Sequence, residues 1–173
     1  MRCVNILLLI LFFIKCSIAQ HLRIDGSNQH KLFTRFVNSN EMTINRDSER
    51  VSDKKFVIQV PQGLQNSKLT INNYFLHLLA FKGGQKIVLL YQPFDTIGVD
   101  KQSLNLSYTD FEVLCSKAGL LEKLNGIEFF KNRLFGLKVI GKEKFFVIYL
   151  NVKNREVEVY NYAINSLTLT SNQ

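Results

Sequence analysis

Leu134–Ala163, LFGLKVI-GKEK-FFVIYLN-VKNR-EVEVYNYA, sets three runs rich in Val, Ile, Phe and Tyr between two short polar breaks. Strand formers bounded by turn residues at this spacing predict a meander of three consecutive antiparallel strands. In the last run Val157, Val159 and Tyr162 read as the inward positions. Glu156, Glu158 and Asn161 read as the side facing water. In the first two runs, alternation is expected to turn lysines outward and phenylalanines inward.

Upstream, Leu69–Phe94 fits two patterns. Ile71, Tyr74, Phe75, Leu78 and Leu79 make a helical stripe with Gly83 as a C-cap. The rival is a hairpin: a strand over about 73–81, a turn at Lys82–Gln85 and a return strand over 86–92. An internal echo favours the hairpin. Leu79, Gly83, Lys86 and Tyr91 align with Leu137, Gly141, Lys144 and Tyr149 at a constant offset of 58. Before it, Phe56–Val60 reads as a strand that Pro61 and Gly63 stop. After it, 93–105 reads as a connection.

Ser107–Asn125 reads as the main helix. Thr109-Asp110-Phe111-Glu112 has the capping-box spacing. Phe111, Leu114, Cys115, Ala118, Leu121 and Leu124 then form one apolar face, and Gly126 ends it. Gly119 inside costs about 1 kcal/mol relative to Ala. Leu32, Phe33, Phe36 and Val37 suggest one short amphipathic helix in an otherwise polar segment. Ile164–Leu169 reads as a last short strand. The expected fold is α+β: a largely antiparallel sheet of about five to seven strands, with the 107–125 helix packed on one face.

The first residues, MRCVNILLLILFFIKCSIAQ, read as a signal peptide. Arg2 gives a positive start, Ile6–Ile14 is an apolar run, and Ser17 and Ala19 put small residues before a cut at Gln20. Nine helical residues span about 14 Å, too short for a bilayer core of about 30 Å. Cys16 raises lipidation, but Phe13 and Lys15 stand where a lipobox has Leu and a small residue. The domain reading is thus a signal over 1–19, a polar and partly ordered segment over 20–55, one α+β domain over 56–169 and a tail over 170–173. No transmembrane segment remains once the signal is removed. Cleavage also leaves Cys115 as the sole cysteine, so no internal disulfide is expected.

The chain of 173 residues has 22 Lys and Arg against 14 Asp and Glu. Loss of Arg2 and Lys15 with the signal takes its net charge from +8 to +6. That bias favours anionic partners. Lys131, Arg133, Lys138, Lys142 and Lys144, interleaved with Phe129, Phe130 and Phe135, are the candidate contacts to an anionic surface, against the favoured reading of a solvated strand face. Gly83-Gly84 between Lys82 and Lys86 could form a small anion nest, but the favoured reading is a tight turn flanked by solvated lysines. The P-loop spacing is absent, no nucleic-acid motif is present, and nucleic acid is not expected as a partner.

Catalytic, cofactor and metal motifs are absent from the sequence: no GxSxG, HExxH or CxxC occurs. His77 stands between Leu76 and Leu78 and reads as a packed histidine. Asp95 and Asp100 read as turn formers, since the EF-hand spacing is missing. Cys115, on the apolar helix face, reads as a small buried hydrophobe. Asn105-Leu106-Ser107 is a glycosylation sequon. The expectation is an exported module, periplasmic or secreted and non-enzymatic, that binds a partner protein or an anionic envelope surface. The alternative is a small exported hydrolase or transferase with a site assembled from distant residues.

Overall fold

The computed structural model describes residues 33–38, 55–71, 74–91, 102–140 and 145–170. The signal over 1–19 with Cys3 and Cys16, and His21, His30, Asp95, Asp100, Gly141, Lys142, Lys144 and residues 171–173, lie outside the described residues. Among the described residues nine strands and two α-helices follow in order. They are β1 (Phe33–Asn38), β2 (Lys55–Pro61), β3 (Leu64–Ile71), β4 (Phe75–Phe81), β5 (Lys86–Tyr91), β6 (Gln102–Leu106), α1 (Tyr108–Lys117), β7 (Leu134–Ile140), β8 (Phe145–Val152), α2 (Val157–Asn165) and β9 (Thr168–Thr170). The fold is α+β. Six strands form a sheet in the order β3-β4-β5-β8-β7-β6, and three form a second in the order β1-β2-β9. Every neighbouring pair is antiparallel.

The large sheet buries both faces, and this explains why β8 is apolar at nearly every position. All eight of its residues are buried. Phe145, Val147 and Tyr149 point to one face and Phe146, Ile148 and Leu150 to the other. The expected alternation, with phenylalanines turned to one inner side, does not hold in this run: Phe145 and Phe146 are buried on opposite faces, because β8 lies mid-sheet between β5 and β7. On the first face sit α2 and β2, with Phe56 against Phe75 and Phe145. On the second sit α1 and the turns after it, with Phe111 stacked on Phe135 at 4.8 Å between ring centroids.

The third strand of the expected meander is a helix instead. Val157, Val159, Tyr160, Ala163 and Ile164 are its buried residues. Val157, Tyr160 and Ile164 follow the 3.6-residue period, so they share one face of α2. The Val-Glu-Val alternation at its start is too short to tell the two periods apart. The expected strand over Ile164–Leu169 is accordingly shorter: α2 runs to Asn165 and β9 begins at Thr168. Ser166 ties the helix end to β2. Its Oγ accepts from the Gln59 N–H at 2.8 Å and donates to the Ala163 carbonyl at 2.7 Å.

The main helix is shorter than its apolar spacing predicts. Ser107, not Thr109, is the N-cap: its Oγ accepts from the Asp110 N–H at 3.2 Å and donates to the Asp110 carboxylate. The helix stops at Lys117 because Gly119 takes φ +64°. The Leu120 N–H reaches the Cys115 carbonyl and the Gly119 N–H reaches that of Ser116, which is the Schellman pattern. Leu120 is then fully buried beside Cys115, while Leu121 is exposed and Leu124 buried. Leu114 is only half-buried.

Three further expectations change. The short helix around Phe33 is strand β1, which pairs with β2 from Phe33↔Pro61 to Asn38↔Phe56. β6, within the expected 93–105 connection, is an edge strand of the large sheet, and the polar β3 forms the other edge. The six strands of the large sheet fall within the expected five to seven, and the three-stranded sheet stands beside it. The hairpin β4–β5 is present, but the echo is not carried through. Leu79 and Leu137 face opposite sides of the sheet. β5 and β8 match face for face at offset 58, whereas Leu79 corresponds to Ile140. Ala80 pairs with Lys86 but Ile140 pairs with Phe145, so the two turns differ by one residue.

Candidate anion-binding surface

β8 ends in a bulge. Leu134 pairs with Val152 but Gly136 pairs with Tyr149, so β8 holds one extra residue there. Asn151 takes it up at φ +61°, in the left-handed region where asparagine is the most tolerant residue after glycine. The bulge returns Val152 to the face that Tyr149 occupies. It also fully buries the Asn151 side chain, which binds three backbone groups. Its Oδ1 accepts from the Phe130 N–H at 2.8 Å. Its Nδ2 donates to the Glu128 carbonyl at 2.7 Å and the Gly84 carbonyl at 3.3 Å.

Three segments far apart in sequence are thereby fixed at one end of the large sheet: the 82–86 turn, the 128–133 turn and 153–156. The Phe130 ring lies against Gly84, and the Lys153 ammonium hangs over Gly83. These segments carry Lys82, Lys86, Lys131, Arg133, Lys153 and Arg155 against two carboxylates, Glu128 and Glu156. Glu156 is already engaged, by the Gln85 amide, by Arg155 at 3.3 Å and by Lys153 at 4.0 Å. Lys82, Lys131 and Arg155 are exposed. Arg133 Nε is buried without a hydrogen-bond partner among the described residues. The Lys86 ammonium donates to the Gly84 carbonyl at 3.1 Å, so that carbonyl turns toward lysine and the turn is no empty cradle of N–H groups.

Comparison with protein-family models, with curated proteins and with solved structures finds no match to this chain. Its chemistry therefore rests on its own residues.

Of the five cations singled out from sequence, Lys131 and Arg133 lie at this basic end. Lys138 does not: it stands midway along β7 and donates to Asn165 Oδ1 at 3.0 Å. Lys142 and Lys144 lie outside the described residues. Lys82 and Lys86 were legible only as flanks of a turn. Lys153 and Arg155 were not singled out, since they are close to the others only in space. The one signal that could have found the assembly is Asn151, a polar residue closing an otherwise apolar run.

His77 is buried against the rings of Phe56 and Phe75. Burial pushes its pKa below the usual value, so the imidazole is neutral at pH 7. Its Nε2 lies 2.6 Å from Ser67 Oγ on the edge strand. Such a pair is the start of a nucleophilic dyad, but burial disfavours the imidazolium that proton transfer would create. Cys115 is fully buried, and desolvation pushes its thiol pKa up to about 12. A thiol so poorly ionised is no nucleophile. Among the described residues no three His, Cys, Asp or Glu side chains come together as a metal site would need, and no helix is long and apolar enough to cross a membrane.

Proposed function

We propose that this chain is an exported, non-enzymatic module that docks on an anionic envelope surface through the basic end of its large sheet. One observation supports the reading above others: Asn151 gathers cations from three distant segments into one surface whose two carboxylates do not balance them. Each lysine or arginine close to an anionic membrane contributes about 1 kcal/mol, so a cluster of this size gives useful affinity without a deep pocket. Export rests on the leader-like first nineteen residues. A partner protein with an acidic face would meet the same surface by the same chemistry.

The test is co-sedimentation with vesicles rich in phosphatidylglycerol, against phosphatidylcholine vesicles as control. Binding to the anionic vesicles is expected at about 0.1 M salt and should be lost at about 1 M, where the screening length falls to about 3 Å. Reversing two exposed charges together, Lys82→Glu and Lys131→Glu, should remove binding at low salt while leaving the fold intact. Binding that survives high salt, or survives the double reversal, would contradict the proposal.

A further inference from the structure

Away from the basic end, the α1 side of the large sheet is incompletely covered where β3 and β4 run out to its edge. A cleft of about 270 Å³ opens there between those strands and the 123–127 turn. Its floor is Leu76 and Leu78, which share one face of β4, and Ile127 stands opposite. Leu78 and Ile127 are only half-buried, so the cleft keeps apolar surface in reach of a ligand.

Its rim is cationic. Lys68 lies across from Leu78 and Thr70 across from Leu76 in the β3–β4 register. Lys123 reaches in from the turn, its ammonium 5.0 Å from the centroid of the Tyr74 ring. Among the described residues neither lysine has a carboxylate within ion-pair distance, and no acidic side chain lines the cleft. Both features select the occupant. Two uncompensated ammonium groups favour an anion and repel a cation, while the leucine floor favours an apolar chain over a bare ion.

We propose that this cleft binds a carboxylate bearing a short apolar chain. The carboxylate sits between Lys68 and Lys123 with the Thr70 hydroxyl as a further donor, and the chain lies over Leu76, Leu78 and Ile127. The volume lies just below that of most ligand pockets, which run from about 300 to 1,000 Å³, so the occupant is a medium chain and not a whole lipid. The site is separate from the basic end and does not depend on it.

Octanoate is the probe, titrated into the full chain and followed by amide chemical shifts. Saturable shifts are expected in 68–78 and 123–127, with none from acetate at equal concentration. Hexanoate, two methylenes shorter, should bind about tenfold more weakly. Lys123→Gln and Lys68→Gln, both at the solvent-facing rim, should each weaken octanoate about tenfold while the remaining spectrum stays folded. Octylammonium, with the same chain and opposite charge, should bind far more weakly than octanoate. Equal binding of the two, unchanged affinity in both lysine variants, or no shift with octanoate would overturn the assignment.

Discussion

Replacing Asn151 with alanine is expected to destabilise the protein by about 3–5 kcal/mol. The side chain is fully buried and satisfies the Phe130 N–H and the Glu128 and Gly84 carbonyls. A partly buried polar group left without its partner costs about 1–3 kcal/mol. Alanine at φ +61° adds about 1–2 kcal/mol of backbone strain that asparagine largely escapes. Asn151→Gly removes the strain and not the lost bonds, so it should fall between wild type and alanine. Urea unfolding would show this as a lower midpoint at unchanged slope. The same variant should bind anionic vesicles less well under conditions where it is still folded, because the 128–133 turn is no longer fixed to the 82–86 turn. An alanine variant within about 1 kcal/mol of wild type would mean that Asn151 does not hold these segments together.

Gly136→Ala should be comparably severe, at about 3 kcal/mol or more. Gly136 pairs with Tyr149 across the β7–β8 ladder. A Cβ on Gly136 would overlap Tyr149 Cε1 and Cζ, well inside any tolerated contact. The ring cannot swing aside. Tyr149 is fully buried, and its hydroxyl donates to Asn105 Oδ1 at 3.0 Å and accepts from the Asn105 N–H at 2.8 Å. Burial pushes this phenol up to about 12, so it stays a donor through neutral pH. Overpacking a core costs about 1–3 kcal/mol, and here the Asn105 bonds are at risk as well. Adding Tyr149→Leu to Gly136→Ala should recover part of the loss, since the smaller side chain gives the new methyl room. A Gly136→Ala protein that melts like wild type would show that the ring is not confined by this strand.

These two positions also mark where sequence reasoning stopped. The strand former runs at Phe56–Val60, Leu134–Ile140 and Phe145–Val152 were legible because apolar residues crowd strands that bury both faces or lie near the sheet centre. β3 and β6 were not, because edge strands such as LQNSKLTI carry polar residues that a connection would carry too. The capping-box spacing at Thr109 and Glu112 places the helix start two residues too late. Ser107 caps instead, and Glu112 accepts from the Tyr108 hydroxyl at 2.9 Å. The segment after Arg155 reads as a strand because its four residues of Val and Glu fit either period, and only the burial of Tyr160, Ala163 and Ile164 settles it as a helix.

The basic surface was half legible. Lys131 and Arg133 stood out because they cluster in the chain. Lys153 and Arg155 join them only through a bulge residue whose three partners lie 21 to 67 positions away. Asn105, like Asn151, takes a positive φ at a bulge, and the two flank β7 on β6 and β8. No local pattern announces such pairs, because what selects asparagine there is the backbone conformation together with distant donors and acceptors.

Amide hydrogen exchange tests most directly whether β8 is wrapped on both faces at the middle of one sheet. The amides of residues 146–150 should exchange last, through global unfolding, and those of the edge strand β3 orders of magnitude sooner, through local opening. Exchange in 146–150 as fast as in 64–71 would contradict the arrangement from which the basic end and the cleft are both built.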